Sequence, residues 1–176
     1  MRDLAQQRFL AGVPLDMRDL ATELGVSRAT VYRWAGNKEL LLGEVLWAYA
    51  EQAIERARLQ ARGEGIGYLM EVIQGFVQAV DGSVPLRRLL VTDPEPSLRV
   101  LTSQHSVVQP RIVEALRTIF QEAVDQGTFH PPIDVDTLSY ATVRIAESFL
   151  YSDIITGTER HVRRAIEIIR LILREA

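Results

Sequence analysis

The chain has 176 residues, 47% hydrophobic and 24% charged, with a formal net charge of −3, which fits a globular protein with a real core rather than one that coats nucleic acid through bulk positive charge. The absence of cysteine excludes disulfides, thiolate nucleophiles and Cys-based zinc sites, and three scattered histidines (His105, His130, His161) make no recognisable metal cluster, so no metal or other cofactor is expected. No apolar run is long enough to cross a bilayer and Met1-Arg2-Asp3 opens no apolar leader, so a cytoplasmic protein without a membrane partner is expected.

Helical periodicity runs along the whole chain, and no segment alternates apolar and polar residues long enough to make a strand; the expected fold class is all-α. A short first helix fits 3–11, stopped by Gly12 and Pro14. Asp16 is placed to cap a second helix over 17–24, ended by Gly25, and Ser27 to cap a third that runs to about Trp34. Gly36-Asn37 separates it from a long fourth helix over 38–62. Gly63, Gly65 and Gly67 then read as a helix break, because no strand precedes them and their spacing matches neither nucleotide-binding fingerprint. A fifth helix is expected over 68–80, and short pieces over 86–91 and 98–102 flank a turn at Asp93-Pro94-Glu95-Pro96. A helix over 107–126 tolerates Pro110 only in its first turn, and Pro131-Pro132 marks a loop. Two last helices, 135–156 and 159–175, flank Gly157, with Thr158 as the expected cap of the second.

The residues from 17 to 34 have the spacing of a helix-turn-helix. Ala21 lets two helices cross closely, Gly25 suits a left-handed turn, and Leu20, Leu24, Val26 and Val31 fix the crossing. The second helix then projects outward, with Arg28, Ala29 and Thr30 at the end that can enter a major groove. Charge leans the same way. Residues 1–40 hold six basic groups (Arg2, Arg8, Arg18, Arg28, Arg33, Lys38) against five acidic ones (Asp3, Asp16, Asp19, Glu23, Glu39), a balance of +1 that leaves −4 for the rest.

The run Ala21-Thr22-Glu23-Leu24-Gly25-Val26-Ser27-Arg28-Ala29-Thr30-Val31-Tyr32-Arg33-Trp34-Ala35-Gly36-Asn37-Lys38-Glu39, continuing to Leu42, closely resembles the DNA-binding segment of the tetracycline-repressor (TetR) family. The resemblance covers about residues 4–50. It implies an N-terminal helix-turn-helix domain (1–45) joined by helix four to a ligand-binding and dimerisation domain (46–176), in a homodimer that represses transcription from palindromic operator DNA. Carried over by position, it makes Ser27 the cap and Arg28 with Ala29 the base-facing pair. Thr30, Tyr32 and Lys38 become phosphate contacts, with Arg33 able to reach base or phosphate. Three positions depart from the family pattern. Trp34-Ala35 stands where His-Phe is usual, so Trp34 is expected to pack between helices. Asp16 stands where a threonine often meets a phosphate, keeping the cap and repelling the anion. The basic N-terminal arm is reduced to Arg2. The wording from Tyr32 to Trp47 also resembles an actinobacterial branch linked to quorum-signal lactone degradation, which implies a lactone or fatty-acyl effector.

Family members close a ligand cavity with the later helices and pair the last two helices across a dimer. The sequence is compatible: Val162, Ile166, Ile169 and Leu173 form one stripe, and Ile168, Leu171 and Ile172 widen it beyond one packing face, although a helix buried within a monomer would carry the same stripes. Residues expected at the effector site are aromatic or polar groups on apolar helices: Tyr68, Phe76, His105, Phe120, Tyr140, Arg144, Glu147 and Phe149. Two other readings compete with the sensor. Ser103 and His105 with nearby acids suggest a hydrolase acting on lactones or esters, but no nucleophile elbow or defined relay accompanies them, so no catalytic residue is assigned and an enzyme is not expected. The other is a DNA-binding dimer that senses nothing.

Overall fold

The computed structural model describes residues 1–174, and among these it contains helices and no strand. In chain order they are α1 (Arg2–Leu10), α2 (Met17–Glu23), α3 (Arg28–Ala35), α4 (Lys38–Gln60), α5 (Gly65–Asp81), α6 (Val84–Thr92), α7 (Pro94–Thr102), α8 (Val108–Asp125), α9 (Val135–Leu150), α10 (Ser152–Ile155) and α11 (Val162–Ile172). The all-α expectation holds. The described chain gathers into two compact units, residues 1–49 with 83–110, and residues 50–82 with 111–174. The division expected at 45/46 is one of function; the compact units divide inside α4 and group 83–110 with the N-terminal helices.

In the first unit, α1 turns Ala5 and Phe9 inward, and Phe9 meets Tyr49 edge to face at 5.6 Å between ring centroids. Asp16 caps α2: Oδ1 accepts from the amides of Arg18 at 2.7 Å and Asp19 at 3.1 Å, and these bonds chiefly hold its carboxyl below the usual range. At the other end of α2, Gly25 takes φ +65°, the amide of Val26 donates to Ala21 O and that of Gly25 to Thr22 O. Those two bonds make a Schellman stop, so α2 ends at its glycine and the chain turns sharply into α3. Leu20, Ala21 and Val31 are buried where α2 packs on α3, and Leu41, Leu42, Val45 and Leu46 of α4 join the same unit's core with Leu86, Leu90, Val100 and Leu101. Each of these leucines and valines contributes about 1.5–3 kcal/mol by leaving water.

The second unit is built on the later half of α4, where Ala50, Ala53 and Ala57 form a small-residue stripe. A Cβ at Gly75 of α5 would approach Ala57 Cβ to 3.1 Å, so these two helices cross closely. Leu69, Ile73, Val77 and Val80 of α5, Leu138 and Leu150 of α9, and Ile166, Ile169 and Leu173 at the C-terminal end fill the core, α11 packing on both α9 and α5. Arg160 ties the segment before α11 to the rest: Nη1 donates to Asp81 Oδ1 at 2.5 Å, and Nε lies 3.6 Å from Asp153 Oδ2.

Four expectations about elements are corrected. Asp93-Pro94-Glu95-Pro96 is not a turn between helices but the start of α7, with the prolines at its first and third positions. The first-turn amides of a helix have no intrahelical partner, so proline forfeits no helical hydrogen bond there. Helix α5 begins at Gly65, so the break is confined to residues around Gly63. The single helix expected over 135–156 is interrupted at Tyr151, where Ser152 Oγ donates to Phe149 O and also lies 3.4 Å from Glu159 O, competing with the helical ladder. The last helix starts at Val162 with His161 as its cap residue, because the Thr158 hydroxyl is engaged with that of Thr156 at 2.8 Å. Its expected end at Glu175 lies outside the described residues.

Candidate nucleic-acid interface and effector region

Ser27 Oγ accepts from the Thr30 amide at 3.1 Å and shares a 3.0 Å hydrogen bond with Thr30 Oγ1. This cap fixes where α3 begins and therefore which side chains lie in its first turn. Val31 is the wholly buried residue of α3, and Ala35, one turn on, is partly enclosed; together they make the inward line of an eight-residue helix. Arg28, Ala29, Tyr32 and Arg33 are exposed, whereas Thr30 is half-buried.

Trp34 departs from the expectation that it packs between helices: it is 53% exposed. Ala35 occupies the inward position, so the indole one residue earlier is rotated off the core-facing side. Tyr32 and Trp34 therefore place two exposed rings beside Arg28 and Arg33 on one short helix.

Asn37 Oδ1 accepts from the Leu40 amide at 2.8 Å, capping α4 and making Lys38 its first residue. An anion there is favoured by the ammonium and by the positive end of the helix. Two pairs flank this end: Lys38 Nζ lies 3.5 Å from Asp93 Oδ2, and Arg99 Nη2 lies 3.9 Å from Glu39 Oε1. Asp93 and Arg99 were not singled out in the sequence; the signal was the Asp-Pro-Glu-Pro run, which reads equally as a turn or as a helix start.

The residues expected around an effector are spread more widely. Tyr68 and Phe76 are half-buried on α5, with Tyr68 engaging Arg58, which also donates to Glu122 Oε2 at 2.6 Å. Phe120 is wholly enclosed, its ring tilted against Phe129 at 5.7 Å between centroids. On α9, Arg144 and Glu147 are brought together, Phe149 is half-buried and Tyr140 is exposed. His105 lies in the first compact unit and the other seven in the second. Ser103 Oγ accepts from the His105 backbone amide at 3.2 Å, so the hydroxyl closes a local turn.

A protein-family model described as "Tetracyclin repressor-like, C-terminal domain" matches residues 64–174. The chain belongs to the TetR family. Among solved structures, the R. erythropolis transcriptional repressor QsdR from the TetR family is 32% identical, over 99% of this chain and 94% of its own, with a TM-score of 0.91. The TetR-family regulator PfmR from Thermus thermophilus is 25% identical over 97% and 94%, with a TM-score of 0.44. No curated protein matches the chain. The fold is thus that of a TetR-family transcriptional regulator, an N-terminal helix-turn-helix with a C-terminal helical domain, and among the described residues no helix is long and apolar enough to cross a membrane.

Proposed function

We propose that this TetR-family regulator is a cytoplasmic repressor that binds palindromic operator DNA as a homodimer and is released by a small, largely apolar effector. The observation that carries the reading is the outward face of α3: Arg28, Ala29, Tyr32 and Arg33 stand exposed on a helix whose other side is anchored by Val31, with Lys38 opening the next helix. Ser27 caps the helix, Arg28 and Ala29 read base edges, Thr30, Tyr32 and Lys38 hold phosphates, and Arg33 serves either. The likeness to the transcriptional repressor QsdR supports the sign of regulation.

Dimerisation through α9 and α11 is supported by α11 itself, which buries Ala165, Ile166 and Ile169 within its own subunit and still exposes Ile168 and Leu171. The effector is a lactone or fatty-acyl compound, held by apolar and aromatic groups with Arg144 and Glu147 as its polar partners. It acts by preferring a dimer whose recognition helices no longer match the groove repeat, with α4 as the continuous element between Lys38 and the effector region. Catalysis has no part in this reading.

Selection of bound duplexes from a random pool, with light scattering on the same sample, tests it. The expected result is a palindrome whose half-sites are about 34–36 Å apart, or a multiple of that, bound by dimers. A monomer at micromolar concentration that selects no palindrome would overturn it.

A further inference from the structure

Asp93 stands at the junction of two helices, as C-cap of α6 and N-cap of α7. Its backbone is anchored in the unit's interior: Asp93 O accepts from the Ser97 amide at 3.2 Å and from Ser97 Oγ at 2.5 Å, and Ser97 is wholly buried. An aspartate in this position ordinarily turns its carboxylate onto the amide two or three residues ahead. Here the third helical residue is Pro96, which has no N–H, and Pro94 fills the first. Asp93 makes no side-chain cap bond, and its Oδ2 is 3.5 Å from Lys38 Nζ. The Asp-Pro-Glu-Pro run thus removes an amide the carboxylate would cap and leaves it available to the lysine.

The pair is open to anything that docks at the start of α4, with 53% of the Lys38 side chain and 43% of the Asp93 side chain exposed. A second carboxylate is close enough to feel the same charge: Asp16 is held down first by the amides of Asp19 and Arg18, and further by Lys38 and Arg28.

We infer that Asp93 is an anionic competitor for the DNA phosphate at Lys38, setting the affinity of the interface for duplex of any sequence. A phosphate arriving at Lys38 either displaces the Asp93 carboxylate or shares the ammonium with it against like-charge repulsion. Both weaken the contact, and neither depends on the bases, because every phosphate is alike. The inference rests on the DNA-binding reading above.

The test uses the full chain with two duplexes, one taken from the pool selection and one of unrelated sequence, titrated at several salt concentrations. Asp93→Asn keeps the shape of the side chain and is expected to bind both duplexes about two- to five-fold more tightly, the range of an exposed ion pair. The gain should shrink as salt rises, and most of it should vanish in a Lys38→Ala background. Asp93→Ser, which retains a residue suited to a helix N-cap, carries the same expectation should the asparagine variant fold poorly. Unchanged or weaker binding by both variants, or an undiminished gain without Lys38, overturns the inference while leaving the DNA-binding reading intact. Failure of the wild-type chain to bind either duplex overturns that reading and this inference with it.

Discussion

Arg144 and Glu147 stand one helical turn apart on α9, and Arg144 Nη1 donates to Glu147 Oε2 at 2.7 Å. The two ends of this bond differ in surroundings: 10% of the Glu147 side chain is exposed against 45% of the Arg144 side chain. Burial pushes the Glu147 carboxyl up to about 7, although the charge and hydrogen bond of Arg144 act in the opposite direction.

This raised carboxyl has a consequence for stability. From the ordinary value of 4.5 up to about 7, the folded chain keeps a proton that the unfolded chain has released. Stability should therefore fall as pH rises through that window, by on the order of 3 kcal/mol if Glu147 acts alone. The capping carboxylates Asp16 and Asp134 are depressed and titrate below it, so they leave the slope unmasked. Urea unfolding at fixed protein concentration should show the wild type less stable at pH 7.5 than at pH 5.5, and Glu147→Gln should remove most of the difference. An unchanged slope in the glutamine variant would assign it to another group.

Gly65 and Gly63 separate backbone strain from steric exclusion. Both have positive φ, +57° and +81°, so an alanine at either costs about 1–2 kcal/mol in the left-handed region. A Cβ at Gly63 meets nothing within 4 Å, whereas one at Gly65 would lie 2.5 Å from the backbone oxygen of Thr128. Thr128 cannot easily give way, since its amide and its hydroxyl both donate to Ala123 O. Gly65→Ala should thus lower the melting temperature clearly further than Gly63→Ala, and equal losses would show that the loop after α8 yields.

What could be read in the sequence was local. Asp16, Ser27 and Gly25 act within a few residues of themselves, and their caps and stop fall where their side-chain chemistry puts them. Proline was ambiguous because it ends one helix and begins another by the same lack of an N–H; Pro94 and Pro96 begin α7. The face of Trp34 was unreadable because an eight-residue helix with one fully buried residue barely defines an inward stripe. Contacts such as Arg160 with Asp81, 79 residues apart, leave no periodic trace at all. The outward residues of α3 needed only local structure, but grouping Tyr68, Phe76, Phe120 and Glu147 needs tertiary packing, which periodicity does not encode.

Ile169 and Leu171 lie two residues apart on α11 and face different surroundings. Ile169 is fully buried within the subunit and Leu171 is 62% exposed. Ile169→Ala should lower the stability of the fold by about 2–5 kcal/mol through lost burial and a cavity. Leu171→Glu touches no core, so in the proposed dimer it should leave the fold intact and weaken self-association. Light scattering and circular dichroism on both variants would distinguish these effects, and a Leu171→Glu protein that remains fully dimeric at low concentration would move the interface off this face of α11.

Arg28 and Tyr32 are both exposed on α3, one turn apart, and their chemistry assigns them different tasks. A guanidinium reaching the major groove can make two parallel bonds to guanine, and such a contact discriminates against a wrong base by about 1–3 kcal/mol. A phenol hydroxyl on a phosphate contributes affinity but carries no sequence information. Tyr32→Phe should therefore weaken binding to every duplex by a similar factor, leaving the ratio between operator and mutated operators unchanged. Arg28→Ala should weaken operator binding and also flatten that ratio at one or two base positions. The salt dependence gives a second readout: Tyr32→Phe removes no charge and should leave the slope of log affinity against log salt unaltered, whereas loss of a cation on a phosphate lowers it by about one. Competition binding against a panel of single-base operator variants measures both quantities. If Arg28→Ala keeps full discrimination and only reduces the salt slope, Arg28 is a phosphate contact, and base reading must fall to Ala29, Arg33 or the exposed ring of Trp34.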